Sequence, residues 1–339
     1  MNARFLAAVL AAALLTHAAA AQAREQIRIV SSSTVYPFAI AVAEQFGKTS
    51  GFKTPVVEAT GSGGGLKLFC DGVADTTPDI VNTSRRITPS EIARCKDHGV
   101  DDIAEVTIGY DGIILANAKA GPAFTVTRAQ LYRAIAKTVP IGGKLVVNPY
   151  KKWSEIDRSL PDEAILVYGP APNHGTRDTL VSLVMDAVCA HMPETLALSP
   201  GARAVTCGAL REDGAYVDVA QNYTVILQKL VMSPAAVGIL TYSYLDQNGD
   251  KIKAATIDGQ TATYDNILSG RYPLSRPLFF YVKKAHLETT RGIPEYIGEF
   301  TAEKAWGKDG YLSERGLIAL PDGIRQAEAA KARALPSLE

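Results

Sequence analysis

The chain has 339 residues, 35 Lys and Arg against 35 Asp and Glu, and 47% hydrophobic residues. That apolar content suffices for one large or two ordinary domains and excludes a disordered chain. Balanced charge removes the electrostatic term on which sequence-general nucleic-acid binding depends, so any anion site must be local.

Residues 1–23 have the form of a signal peptide. Arg4 precedes an unbroken apolar run over 6–15, and Ala21-Gln22-Ala23 has the small-x-small pattern of a secretory cleavage site. The run falls short of the roughly 20 residues a membrane-spanning helix needs. Cleavage after Ala23 removes Arg4 and leaves 34 Lys and Arg against 35 Asp and Glu, a formal charge of −1, in a mature chain starting at Arg24. The expectation is therefore a soluble periplasmic protein. Its four cysteines all follow the leader, and an even count in an oxidising compartment favours disulfides. Sequence neighbours pair most simply, Cys70 with Cys95 and Cys189 with Cys207. Each pair closes a loop of about 20 residues, worth roughly 3 kcal/mol in the chain-entropy account. No CxxC occurs, so zinc and redox-motif readings have little support.

From Arg24 onward, short β-branched runs alternate with helical patterns. A strand is expected over 27–30, then a helix capped by Thr34 that runs through Phe46. A second strand covers 55–59, a short helix reaches Cys70, and a third strand covers 79–82. Thr88-Pro89-Ser90-Glu91 is a capping box with Pro in the first helical position. Strands at 104–107 and 113–116 flank Gly109-Tyr110-Asp111-Gly112, and Thr127 opens another capped helix. A strand over 165–168 leads into Asn173-His174-Gly175-Thr176-Arg177. Leu180, Val181, Leu183, Val184 and Val188 then keep helical spacing up to Cys189. Trp153 and the run 242–244 read as core.

Repeated strand-loop-helix units imply an α/β fold whose sheets are mostly parallel and flanked by helices. About 316 mature residues is large for one such sheet, so two lobes are expected. Two hinge signals stand out, residues 109–112 and Asn248-Gly249-Asp250. If both are crossings, lobe 1 comprises 24–109 with 255–339, and lobe 2, residues 110–254, is inserted into it.

Four loops share one design, with small hydroxyl or glycine residues between a strand end and a helix start. They are Ser31-Ser32-Ser33-Thr34, Thr60-Gly61-Ser62-Gly63-Gly64-Gly65, Thr83-Ser84-Arg85-Arg86 and Asn173-His174-Gly175-Thr176-Arg177. A helix N-terminus offers unpaired N–H groups, glycine admits a ligand to the backbone, and hydroxyls add donors, so each loop is a candidate anion cradle. Enzyme templates fit poorly. Residues 61–67 approach a P-loop, but Leu66 stands where that motif has Gly and Leu68 where it has Ser or Thr. No GxSxG, HExxH or EF-hand pattern occurs, the five His are scattered, and no cofactor or metal is called for.

The sequence resembles the periplasmic phosphate-binding proteins of ABC-type phosphate importers, a class II two-lobed solute-binding family. The resemblance rests on Ser-Ser-Thr-Val-Tyr-Pro-Phe at 32–38, Gly-Ser-Gly-Gly-Gly-Leu-Lys at 61–67 and Asp-Ile-Val-Asn-Thr-Ser-Arg-Arg at 79–86. It extends to Trp-Ser-Glu-Ile at 153–156, His-Gly-Thr-Arg at 174–177 and Tyr-Pro-Leu-Ser-Arg-Pro-Leu at 272–278. It implies a tetrahedral oxyanion in the cleft between the lobes, held by Thr34, Val35 and Ser62 from one lobe and by Gly175 and Thr176 from the other. His174 stands where well-studied members have Ser. Two departures matter: Arg85 follows Ser84 where those members have a carboxylate, and Pro170 stands where they have Arg. A different branch of the family is similar in having Ser-Arg and Gly-Thr-Arg, which implies that Arg85 and Arg177 supply the charge. Asp111, or less favourably Asp178, then remains to accept the proton that distinguishes phosphate from sulfate.

The expected function is phosphate capture by a monomer, with delivery to a membrane-embedded ABC permease and no catalysis. Another tetrahedral oxyanion such as sulfate is the alternative ligand, and a secreted phosphohydrolase the alternative class.

Overall fold

The computed structural model describes residues 24–172, 174–219 and 223–338. The expected signal peptide lies outside the described residues, as does Asn173 of the fourth loop. In chain order the strands are β1 (Arg28–Ser31), β2 (Val56–Ala59), β3 (Ile80–Thr83), β4 (Ile103–Ala118), β5 (Thr125–Val126), β6 (Thr138–Ile141), β7 (Lys144–Val147), β8 (Val167–Pro170), β9 (Tyr216–Val219), β10 (Val237–Thr241), β11 (Ile252–Ala254), β12 (Thr256–Ile257) and β13 (Ser275–Lys283). The main sheet runs β2-β1-β3-β13-β4-β10-β8-β9, with β11 also on β4. Its outer strands are parallel, β1 with β2 and β3, and β8 with β9 and β10. Its centre is antiparallel, because β13 and β10 run against β4. The hairpin β6–β7 and the parallel pair β5–β12 lie apart from this sheet.

Period-two alternation gives the first half two cores. On one face Ile29, Ile80, Phe280 and Val282 pack with the helices Tyr36–Thr49, Ile293–Phe300 and Asp322–Ala334. On the other, Val30, Val81, Phe279 and Tyr281 meet Leu66 and Phe69 of the helix Ser62–Phe69. The second half has its own core, in which Ile113, Leu115, Val167 and Ile239 surround the fully buried Trp153. Trp153 meets Phe124 edge-on at 5.3 Å, as a core aromatic does.

Residues 109–112 lie within β4, one 16-residue strand, at the point where its pairing changes. It is paired from Ile103 to Gly112 with β13 and from Ile113 to Asn117 with β10. A register shift between Leu278 and Phe279 absorbs one extra β4 residue. Beside it Gly109 has φ 144°, and a Cβ there would lie 2.7 Å from the Ile318 carbonyl oxygen. Glycine is thus required for the C-terminal segment to cross here, where Tyr110 and Ile318 exchange hydrogen bonds of 2.9 Å. Asn248-Gly249-Asp250 is only the turn between the helix Tyr242–Asn248 and β11. Ala255, Ile257, Ile267, Tyr272 and Leu274 still belong to the second core, so the chain returns at β13, later than the expected 254/255 boundary.

Local signals fared better. Thr88 with Glu91 and Thr127 with Gln130 form complete capping boxes. The helix Gly175–Leu180 widens into a π turn over Val181–Asp186 before reaching Cys189. Both disulfides join the expected partners, Cys70–Cys95 and Cys189–Cys207. The second closes the loop carrying the short helices Pro193–Leu196 and Pro200–Gly208. Replacing Cys189 and Cys207 together with Ser should therefore lower stability by roughly 3 kcal/mol. Equilibrium urea unfolding checks this, and a midpoint equal to wild type would show that the loop is held by packing alone.

Candidate functional site

A cleft of about 370 Å³ opens between the two halves. The first half contributes Thr34, Pro37 and Phe38, and the second contributes His174, Gly175, Thr176, Tyr223 and Tyr244; Asp111 of β4 lies at the junction. Expected site residues Thr34, Asp111, His174, Gly175 and Thr176 therefore line one space. Ser62, Ser84, Arg85 and Arg177 lie outside this lining, and Val35 is fully buried beside it.

Thr34 does not cap its helix. The N-cap is Val35, with no side-chain cap; a turn before it is held by Ser32, whose hydroxyl accepts from the Val35 N–H at 3.2 Å and whose carbonyl accepts from the Tyr36 N–H at 2.9 Å. The helix starts at Tyr36 with Pro37 in its first turn. The Thr34 hydroxyl is thereby released to the cleft, where it accepts a hydrogen bond from Arg276. Facing it, His174 caps the helix Gly175–Leu180: its Nδ1 accepts from the Thr176 N–H at 3.1 Å. An accepting Nδ1 places the neutral ring's proton on Nε2. Burial pushes the His174 pKa down, against the opposing pull of Asp111 and Asp178, so the ring stays neutral near pH 7. Thr176 Oγ1 shares a 2.5 Å hydrogen bond with the Tyr223 hydroxyl, whose own pKa burial pushes up. Tyr223 leans on His174 and Tyr244, each ring pair 5.4 Å apart, so Tyr244 walls the cleft and is not core.

Gly175 is where the halves meet. A Cβ on it would lie 3.1 Å from the Ser33 carbonyl oxygen and 3.6 Å from Thr34 Cα. The absence of a side chain is what lets the first and fourth loops touch.

The two arginines expected to supply charge are engaged elsewhere. Arg85 donates to both carboxylate oxygens of Glu91, at 2.9 and 2.8 Å, and Glu91 is at the same time the capping-box acid of its helix. Ser62 Oγ accepts from the Ser84 N–H at 3.1 Å and pairs with Ser84 Oγ at 3.3 Å, so these loops form a cluster of their own. Arg177 turns back along its own half. Its Nη1 donates to Asp218 at 2.7 Å and to the Pro170 carbonyl at 3.0 Å, and its guanidinium stacks on the Tyr216 ring.

Arg315 is the cation within the lining, beside Glu314. Arg276, unassigned within the 272–278 motif, lies outside that lining but bonds to Thr34 inside it. It stands opposite Asp111 in the β4–β13 register, and its side chain is 12% exposed. Its Nη2 donates to Thr34 Oγ1 and, at 2.8 Å, to Thr179 Oγ1. Asp111 Oδ2 lies 3.7 Å from its Nε and accepts from Thr179 Oγ1 at 2.7 Å. Asp178, the weaker acid candidate, is half-buried in the first helical turn and does not line the cleft. Among the described residues, no group of three or more His, Cys, Asp or Glu is placed to hold a metal ion, and no helix is long and apolar enough to cross a membrane.

Two α/β halves joined by crossing strands, with hydroxyl-rich loops facing one cleft, define the two-lobed fold of the solute-binding proteins. The chain belongs to the PBP superfamily, whose domain profile matches residues 16–304. Protein SphX of Synechococcus elongatus is 28% identical over 283 residues, covering 82% of this chain and 74% of SphX. The phosphate-binding protein PstS of Staphylococcus saprophyticus is 27% identical over 299 residues, covering 86% and 79%. Among solved structures, a possible phosphate binding protein from Planctomyces limnophilus has a TM-score of 0.73 at 28% identity, covering 93% of this chain and 99% of that one. An ABC-type phosphate transport receptor from Vibrio cholerae shares the fold, with a TM-score of 0.55 at 24% identity over 87% of this chain and 100% of that one.

The Arg85–Glu91 pair carries a pH signature. The Arg85 hydrogen bonds, helped by the Thr88 N–H and hydroxyl, hold the Glu91 carboxyl down at about 2 against an ordinary 4.5. Its stabilisation is present above pH 4.5 and is lost as pH falls toward 2. Glu91→Gln should cost about 1 kcal/mol near neutrality as a damaged cap and should flatten the acid side of the stability profile. Urea midpoints measured from pH 6 to 2.5 test this; a variant with wild-type acid sensitivity would place the titration on other carboxylates.

Proposed function

We propose that this chain captures inorganic phosphate in the periplasm and delivers it to a membrane-embedded ABC permease, acting as a monomer and as a binder, not a catalyst. The observation that carries the reading is the meeting of the Thr34 loop and the Gly175–Thr176 loop over Asp111 in one cleft between two separately cored halves. Similarity to the phosphate-binding protein PstS of Staphylococcus saprophyticus and to the possible phosphate binding protein of Planctomyces limnophilus supports it. In this reading the segment 1–23 is a cleaved leader. Lobe 1 is the half holding β1, β2 and β3, lobe 2 the half holding β8, β9 and β10, and β4 and β13 carry the bending between them.

Closure lets one anion take donors from both lobes, contacts that an open state cannot make, and the permease reads the closed shape. Thr34, Thr176 and the Nε2–H of His174 are the donors in this scheme, with backbone N–H groups at the Gly175 loop. Val35 contributes by seating the first loop, and Ser62, Ser84 and Arg85 form a neighbouring wall that bears on the ligand only after Arg85 leaves Glu91. Arg177 braces the fourth loop from behind through Asp218 and Pro170. Asp111 is the acceptor: both contacts described for it engage Oδ2, which leaves Oδ1 to take a proton from phosphate. Phosphate near pH 7 keeps at least one proton whereas sulfate has none, so a buried carboxylate discriminates between them.

Calorimetric titration of anion-free protein with phosphate, sulfate and arsenate tests the ligand class. The expected result is phosphate binding at about 1 μM or tighter, near −8 kcal/mol, with sulfate weaker; sulfate preferred to phosphate would reject the assignment. Robust hydrolysis of an aryl phosphate by pure protein would move the chain to the phosphohydrolase class. A variant sharpens the test. Asp111→Asn should reduce the phosphate-over-sulfate preference by at least about tenfold, because an amide can donate to an unprotonated oxygen. Competition titration showing undiminished selectivity would remove Asp111 from this role.

A further inference from the structure

We infer that Arg276 is the positioning residue of the anion cradle: from the crossing strand it fixes the Thr34 hydroxyl as a donor to the bound oxyanion and couples it to the opposite lobe through Thr179. The inference rests on the reading of the cleft as an oxyanion site.

Arg276 reaches both sides at once. Its Nη2 donates to Thr34, ahead of the first helix of one half, and to Thr179 Oγ1 at 2.8 Å, inside the helix Gly175–Leu180 of the other. A third contact, Nη1 to Ser182 Oγ at 3.4 Å, is at the edge of hydrogen-bonding range. A guanidinium has only donors, so any hydroxyl that meets it must present its oxygen. Each threonine then has one hydrogen left to give. Thr179 spends its hydrogen on Asp111 Oδ2 at 2.7 Å. Thr34 has its oxygen engaged in the same way, and its hydroxyl lies in the lining of the cleft. It is therefore a donor by default, and a donor is what an oxyanion requires.

Charge supports the same role. Asp111 is 5% exposed, and a buried carboxylate without a cation would repel an arriving anion. Arg276 neutralises it across the β4–β13 register, with Nε 3.7 Å from Oδ2. That Nε is buried without a hydrogen-bond partner, so the protein does not saturate this guanidinium. Lysine cannot reproduce the arrangement, because one ammonium cannot stand at once where Nη2 meets the two hydroxyls and where Nε lies beside the carboxylate.

A double-mutant cycle measured by phosphate calorimetry on the full mature chain tests the coupling, with the ligand-free melting temperature recorded for each variant. Thr34→Val should weaken phosphate about tenfold or more, and Arg276→Lys should do so by a similar factor. With Thr34→Val already present, Arg276→Lys should cost less than about threefold, because the hydroxyl it would misorient is gone. Thr34→Ser keeps the hydroxyl and should restore both the affinity and the sensitivity to Arg276→Lys. A merely structural arginine predicts equal losses in both backgrounds, and that additive result overturns the inference. So does Arg276→Lys binding phosphate within about twofold of wild type. Wild-type protein that binds no tetrahedral oxyanion overturns the functional reading itself, and this inference with it.

Discussion

The molecule is organised by the pairing of β4 with β13. β4 is long enough to serve two cores, its first part lining the half that contains Ile80 and Phe280 and its last part the half that contains Trp153. β13 lies against it from Ile103 to Gly112, across the junction. A paired ribbon bends and twists far more readily than it breaks, since breaking it would strand backbone N–H and C=O groups. The ribbon and the nearby Tyr110–Ile318 crossing are thus the links that any relative motion of the halves would have to preserve. The loops at the strand ends are brought opposite one another as a consequence.

The same ribbon decides where charge reaches the cleft. Loop arginines have many partners within reach and settle on nearby carboxylates, Arg85 on Glu91 and Arg177 on Asp218. A guanidinium on the crossing strands has no such freedom, because its neighbours are set by register, and register puts Asp111 opposite Arg276. Beside the cleft the Arg276–Asp111 pair is buried, while hydroxyls and the charged Glu314 and Arg315 line the cleft itself. A buried guanidinium beside a buried carboxylate keeps the local net charge near zero, which lowers the cost of holding both out of water.

What the sequence made legible was local. Capping boxes at Thr88 and Thr127 involve residues three apart, and the disulfides join neighbouring cysteines, so each was readable within one window. Residues 109–112 carry two glycines that look like a break; the pairing that keeps them extended comes from 275–278, far along the chain. Thr34 misled because the helix starts two residues later, at Tyr36, with Val35 as its N-cap and no side-chain cap. Arg276 sat in plain view within the 272–278 motif. Its role depends on Asp111, Thr34 and Thr179, which no local pattern connects to it.

Strand order has a further consequence, for the sequence of events in folding. β13 is inserted between β3 and β4, so the sheet of the first half has a gap at its centre until residues 275–283 arrive. Everything synthesised before that point can form helices and the parallel trio β2-β1-β3, but it cannot close the core around Phe280 and Val282. The contacts that complete the fold are therefore among the most distant in sequence, which makes completion slow and late. The second half is under no such constraint, since its core residues lie almost wholly within 113–274 and its strands β10, β8 and β9 pair without β13. One half can thus be finished while the other still waits for its central strand.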